Sequence, residues 1–255
     1  MMASNREADP IALSFLSQGF HAFVLRYSVG DFCTYPTPFI DASRAMQTIR
    51  DHANEWHLDR DKIAVCGFSA GGHLAASLGT MWNDPELIAA AGIREGENRP
   101  NALILGYPVI TCQIETNTFM DTMWSKVIGN QPPVQMEDRL SCERHVGGHT
   151  PPTFLFHTFM DNVVPIENSL LFAQALTSQD IPFELHIYPN GQHGLSLANA
   201  ITSSGQKEME DTDVAGWFNL CSSWLWRLFG RPEATSKESD GTSTPRRAKM
   251  KRRTS

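Results

Sequence analysis

Apolar positions along this chain switch between two periods. Residues 7–18 place Ile11, Leu13, Phe15 and Leu16 at helical spacing, and Pro10 is tolerable in a first turn. Residues 20–27 are almost continuously apolar and read as a buried strand. Residues 37–56 return to the helical period, with Ile40, Ala45, Met46, Ile49 and Ala53 on one side. A short strand is predicted over 62–66, a helix over 70–80 and a strand over 102–107, ended by Pro108. Residues 109–152 are rich in Pro, Gly and polar residues, and are too long for a plain loop. Short helices lining a site are expected there. A strand over 153–157, a helix from Pro165 to 178, a strand over 183–188 and a wide-faced helix over 214–229 complete the pattern.

Strand and helix thus alternate, which predicts an α/β fold with a mostly parallel sheet covered by helices on both faces. Residues 1–230 read as one domain. From 231 to 255 the composition turns to Ser, Thr, Glu, Lys and Pro, and a disordered basic tail is expected.

Charge narrows the partners. The chain carries −7 overall, yet six of its 21 basic residues lie within 246–253, so the rest is more acidic still. An acidic body repels phosphates and argues against nucleic acid as a partner. No apolar run has the length of a membrane span, and no basic-then-apolar leader opens the chain. A cytoplasmic location and no membrane partner are expected. Five scattered cysteines without a CxxC favour reduced thiols over disulfides or zinc. His145 and His149 are separated by Gly147 and Gly148, which argues against a helix presenting both to a metal, so no metal site is expected.

The chemistry is carried by Gly67-Phe68-Ser69-Ala70-Gly71. It matches G-x-S-x-G, in which a serine sits on a tight strand-to-helix turn and small neighbours let the backbones pass. A predicted strand stands directly before it and a helix directly after. This resembles the nucleophile elbow of an α/β-hydrolase, which implies Ser69 as nucleophile. The helix N-terminus puts the N–H of Ala70 where an oxyanion would form. A serine needs a base, and the base an orienting carboxylate, in the chain order serine, acid, histidine. His193, between Gly191 and Gly194 after the last strand, is the expected base, and Asp161, just past the strand 153–157, the expected acid. Asp180 is the rival acid, but it lies in a helix-to-strand turn on the wrong side of the sheet.

A broader resemblance covers about residues 6–228. Gly19 to Ser28, Ile63 to Leu74, Gly106 to Ile110, Thr150 to Thr158, Asp161 to Pro165 and Gly191 to Gly194 together resemble bacterial acetyl esterases of the acetyl-xylan esterase type. The resemblance implies hydrolysis of acetyl or other short acyl esters on sugars or xylan-derived oligosaccharides. It implies no cofactor, Ser69 as nucleophile, His193 as base and Asp161 as its orienter. A small acyl ester or acetylated sugar is the implied ligand.

The chain departs from that family at its front. Members begin with three strands, and a glycine-rich loop after the third supplies a second oxyanion donor. No Gly-Gly-Gly occurs here. The first strands and that loop are expected to be missing, the strands 20–27 and 62–66 to flank an open slot, and the sequence to come from an N-terminally truncated gene model, with Met1 or Met2 an internal methionine. Two other readings stand beside the esterase: a non-catalytic remnant that binds a partner, and a serine peptidase of the prolyl-oligopeptidase type.

Overall fold

The computed structural model describes residues 4–114, 118–129 and 135–231. Residues 232–255, and with them the expected basic tail, lie outside the described residues. The helices and strands follow in the order α1 (Asp9–Ser17), α2 (Thr37–Asp51), β1 (Ala64–Phe68), α3 (Ser69–Met81), α4 (Pro85–Ala91), β2 (Ala102–Gly106), α5 (Thr118–Ile128), α6 (Met136–Leu140), β3 (Thr153–Thr158), α7 (Glu167–Ser178), β4 (Phe183–Tyr188), α8 (Thr212–Ala215) and α9 (Trp217–Phe229). The four strands form one parallel sheet in the order β1-β2-β3-β4. Parallel strands need crossovers, and here helices supply them.

Strand alternation sorts side chains to two faces. Ile104, Phe154 and Phe156 meet α1 and α9 through Ile11, Phe15, Trp217, Cys221 and Trp224. Leu103, Leu105 and Leu155 meet α3 and α7 through Ala75, Ala76, Phe172 and Leu176. Trp217 anchors the first face: its ring stacks on Phe156 at 4.3 Å and its Nε1–H donates to the Ser196 carbonyl at 2.8 Å. Truncating so large a buried ring costs about 3–5 kcal/mol. All five cysteines are unpaired.

Residues 20–27 correct the expected buried strand. The segment carries no ladder, and among the described residues no strand pairs with it or with the outer edge of β1. Phe20 and Ala22 still pack inward, Phe20 stacking on Trp226 at 4.2 Å. Phe23, Val24 and Leu25 are exposed. An apolar run becomes a buried strand only when a neighbour completes its hydrogen bonds.

Helix α4 was not foreseen, although its signals are local. Asp84 caps it by accepting from the N–H groups of Glu86 and Leu87 at 2.9 and 3.0 Å, Pro85 opens it, and Gly92 at φ 64° closes it. The expected helices within 109–152 are α5, α6 and a 3-10 turn at Cys142–His145.

Candidate active site

Ser69 leaves β1 and opens α3 in one step. Its φ of 52° lies in the left-handed region that a side chain rarely enters. The sequence pays for this turn with glycines. A Cβ on Gly67 would stand 2.1 Å from the Gly71 carbonyl oxygen, and one on Gly72 would stand 2.7 Å from Pro108 Cβ. The N–H of Val109 donates to the Ser69 carbonyl at 3.1 Å and ties the turn to the chain after β2. Ala70, the second residue of α3, has an N–H among those a helix leaves without an intrahelical acceptor.

His193 arrives on the loop after β4. Its Nε2 lies 2.8 Å from Ser69 Oγ, and its Nδ1 lies 2.7 Å from Asp161 Oδ2. An ionised carboxylate only accepts, so Nδ1 carries the proton and Nε2 is left to accept from the serine hydroxyl. Asp161 sits in the turn after β3. Its other oxygen accepts from the N–H groups of Val163 and Val164, both at 2.9 Å. Burial opposes the charge on Asp161. Hydrogen bonds from His157 and His193, attraction to His193 and the Val163 N–H outweigh it and hold the carboxyl well below the usual carboxylate range. The three residues expected from sequence are therefore brought into one hydrogen-bonded run at the C-terminal ends of β1, β3 and β4. Asp180 lies before β4, at the opposite end of the sheet.

Several participants were not singled out beforehand. His157, the penultimate residue of β3, is fully buried; its Nε2 donates to the Val164 carbonyl at 3.0 Å and its Nδ1 accepts from the Ser169 hydroxyl at 2.8 Å. Thr158 donates to the Gly191 carbonyl at 2.8 Å and holds one end of the His193 loop. Tyr107, at φ 36°, packs its ring edge-on to His193, with ring centres 5.1 Å apart. Beside Ala70 lies a cleft lined by Tyr27, Tyr35, Phe39, His73, Leu74 and Val127, enclosing about 400 Å³ with its open mouth. Burial pushes the Tyr27 hydroxyl up to about 12, with the charges of Glu7 and Cys33 adding to it. Burial also lowers the imidazole of His73, whose Nε2 donates to the Leu140 carbonyl at 2.8 Å.

Trp124 is 6 % exposed and packs edge-on to His73 at 5.1 Å, so it is part of a wall. The side chain of Phe119 lies outside the described residues. His145 and His149 point to separate carbonyls, His145 to those of Asp138 and Arg139 and His149 to that of Thr80. Among the described residues no group of three or more His, Cys, Asp or Glu is placed to hold a metal ion, and no helix is long and apolar enough to cross a membrane.

A parallel sheet flanked by helices, a strained serine at a strand-to-helix turn, and a histidine and carboxylate delivered by later loops define an α/β-hydrolase. The family model described as BD-FAE matches residues 2–176, and the chain belongs to that family. It is similar to endo-1,4-beta-xylanase B of Butyrivibrio fibrisolvens, 36 % identical over 83 % of this chain and 34 % of that protein. It is also similar to an acetylxylan esterase of Xylanibacter ruminicola, 30 % identical over 77 % of this chain and 39 % of that protein. The chain thus spans well under two thirds of these curated relatives. Among solved structures it resembles an acetyl ester-xyloside bifunctional hydrolase from Caldicellulosiruptor lactoaceticus, with TM-score 0.75 and 36 % identity over 90 % of this chain and 79 % of that one.

Proposed function

We propose that the chain is a carboxylic-ester hydrolase that removes acetyl or other short acyl groups from sugars or xylan-derived oligosaccharides through an acyl-enzyme on Ser69. The observation that carries this reading is the run Ser69 Oγ to His193 Nε2 at 2.8 Å and His193 Nδ1 to Asp161 Oδ2 at 2.7 Å. In this mechanism Ser69 Oγ attacks the ester carbonyl carbon and gives its proton to His193 Nε2. Negative charge gathers on the former carbonyl oxygen, where the Ala70 N–H is the oxyanion donor. The C–O bond to the alcohol breaks as the imidazolium returns the proton to the leaving oxygen. Water then gives a proton to His193, attacks the acyl carbon and releases the carboxylate, restoring Ser69. Asp161 keeps the ring oriented and favours its charged form.

The apolar cleft beside Ala70 supports a short acyl group, and the names of the relatives support an acetylated sugar. The test is hydrolysis of p-nitrophenyl acetate and of acetylated xylo-oligosaccharides by the purified chain and by Ser69→Ala, with mass spectrometry of the Ser69 peptide. Acetate release and a trapped acyl adduct, both lost in Ser69→Ala, are expected. Equal background in both proteins overturns the reading in favour of a non-catalytic chain.

A further inference from the structure

The His193 loop is held on one side by Thr158. Its other side is held by groups far away in sequence that the reaction does not consume. Glu7 stands in the 3-10 turn Asn5–Glu7, just before α1. Its Oε1 accepts from the Tyr107 hydroxyl at 2.7 Å. The same hydroxyl accepts from the N–H of Ser196 at 3.0 Å, three residues past His193. Ser196 is fully buried, and its own hydroxyl donates to the Arg6 carbonyl at 2.6 Å. The Tyr107 ring then lies edge-on to His193 at 5.1 Å. One hydroxyl therefore joins a carboxylate, the backbone of the histidine loop and the histidine ring's own neighbour.

We propose that Glu7, acting through Tyr107, is a positioning residue for His193: it fixes the loop that carries the ring and places a second negative charge behind the imidazolium that forms during the reaction. This rests on the esterase reading of the site. A purely structural link would need no charge, since any acceptor could take the Tyr107 proton. Yet this acceptor is a half-buried carboxylate, whose partial loss of water is costly unless its charge is used or compensated. The charged and titratable groups around Glu7 are Tyr107, His193 and Arg6, while Tyr27 and Cys66 feel its charge from the segment before α2 and from β1. Burial raises the Glu7 carboxyl, and the Tyr107 hydrogen bond, His193 and Arg6 each pull it back. Around His193 the remaining facing groups are Asp161 and Ser69, with His157 behind Asp161.

Glu7→Gln keeps an oxygen for Tyr107 and removes only the charge. With p-nitrophenyl acetate, kcat is expected to fall about threefold to tenfold while KM stays within about twofold. The acid limb of kcat/KM is expected to move down by about half to one pH unit, because the imidazolium loses a favourable neighbour. The His193 ring, assigned in NMR by comparison with His193→Gln, is expected to titrate at correspondingly lower pH, and this readout does not depend on catalysis. Tyr107→Phe leaves Glu7 in place and breaks the link; kcat is expected to fall by a similar factor with KM held. Wild-type kcat in Tyr107→Phe, or an unmoved His193 titration in Glu7→Gln, overturns the proposal. If the wild-type chain releases no acetate while the titration still shifts, the esterase reading fails and the coupling of Glu7 to His193 stands.

Discussion

His157 and Asp161 face each other inside the protein, with His157 Nε2 3.5 Å from Asp161 Oδ2 and both side chains fully shielded from solvent. His157 is the last residue but one of β3, and Asp161 sits in the turn that follows. The histidine is locked by Ser169 and the Val164 carbonyl, so the carboxylate that accepts from His193 is itself backed by a fixed ring. His157→Phe would leave both the Ser169 hydroxyl and the Val164 carbonyl without this partner. A loss of about 2–4 kcal/mol in urea unfolding is expected. A roughly tenfold fall in kcat is expected in the same variant, because second partners of an orienting carboxylate govern its geometry.

Ser69, His193 and Asp161 act as a unit in the proposed reaction. Ser69→Ala and His193→Ala are each expected to lower kcat by about a thousandfold or more, and the double variant by little beyond the worse single one. Asp161→Asn keeps the shape but lets the ring take the wrong tautomer, with a loss of about a thousandfold or more expected. Steady-state kinetics on a chromogenic acetyl ester decide this. Additive losses in the double variant would contradict a shared role.

Asp161 and Glu7 give stability contributions of opposite sign with pH. Asp161 is held below its ordinary value of 3.8, so its contribution is present above that value and is lost as pH falls through the depressed folded value. Glu7 is raised above 4.5, so its contribution is present below that value and is lost as pH rises through the folded value. The deficit of Asp161→Asn relative to wild type is therefore expected to shrink on acidification below about pH 4, while Glu7→Gln gains on wild type as pH rises above 4.5. Urea unfolding at a series of pH values checks both slopes.

Gly67 tests the elbow without touching the reacting groups. An added Cβ would meet the Gly71 carbonyl oxygen at 2.1 Å and the Ala75 Cβ at 2.9 Å. Backbone cannot yield as a side-chain tip can. Gly67→Ala is expected to cost about 3 kcal/mol or more, read as a lowered Tm or loss of folded protein on purification. Gly92→Ala, in open space but at φ 64°, is expected to cost only the roughly 1 kcal/mol of a strained cap.

Much of the fold was legible because its signals are local. The period of 183–188 matched β4 residue for residue, and the elbow announced both β1 and α3. The candidate site was legible to the extent that motif spacing and chain order carry it: Ser69, Asp161 and His193 each follow a strand end. Helix α4 was equally legible, since Asp84, Pro85 and Gly92 mark its two ends. His157 could have been found from a titratable residue placed one turn before Asp161, but a histidine within an apolar strand gives no local sign of what it faces.

The sequence alone determined the four strands β1 to β4 with the helices α1, α2, α3, α7 and α9 around them, the strained serine turn and which three residues meet there. These follow from side-chain periodicity and from steric demands within a few residues. The tertiary structure decided what depends on distant partners. The run 20–27 carries no ladder because pairing, and not apolar content, makes a strand. Glu7 reaches the His193 loop only because folding brings Tyr107, 100 residues away, to its side. A hydrogen bond over that separation leaves no period, cap or motif in the chain, so only packing reveals it.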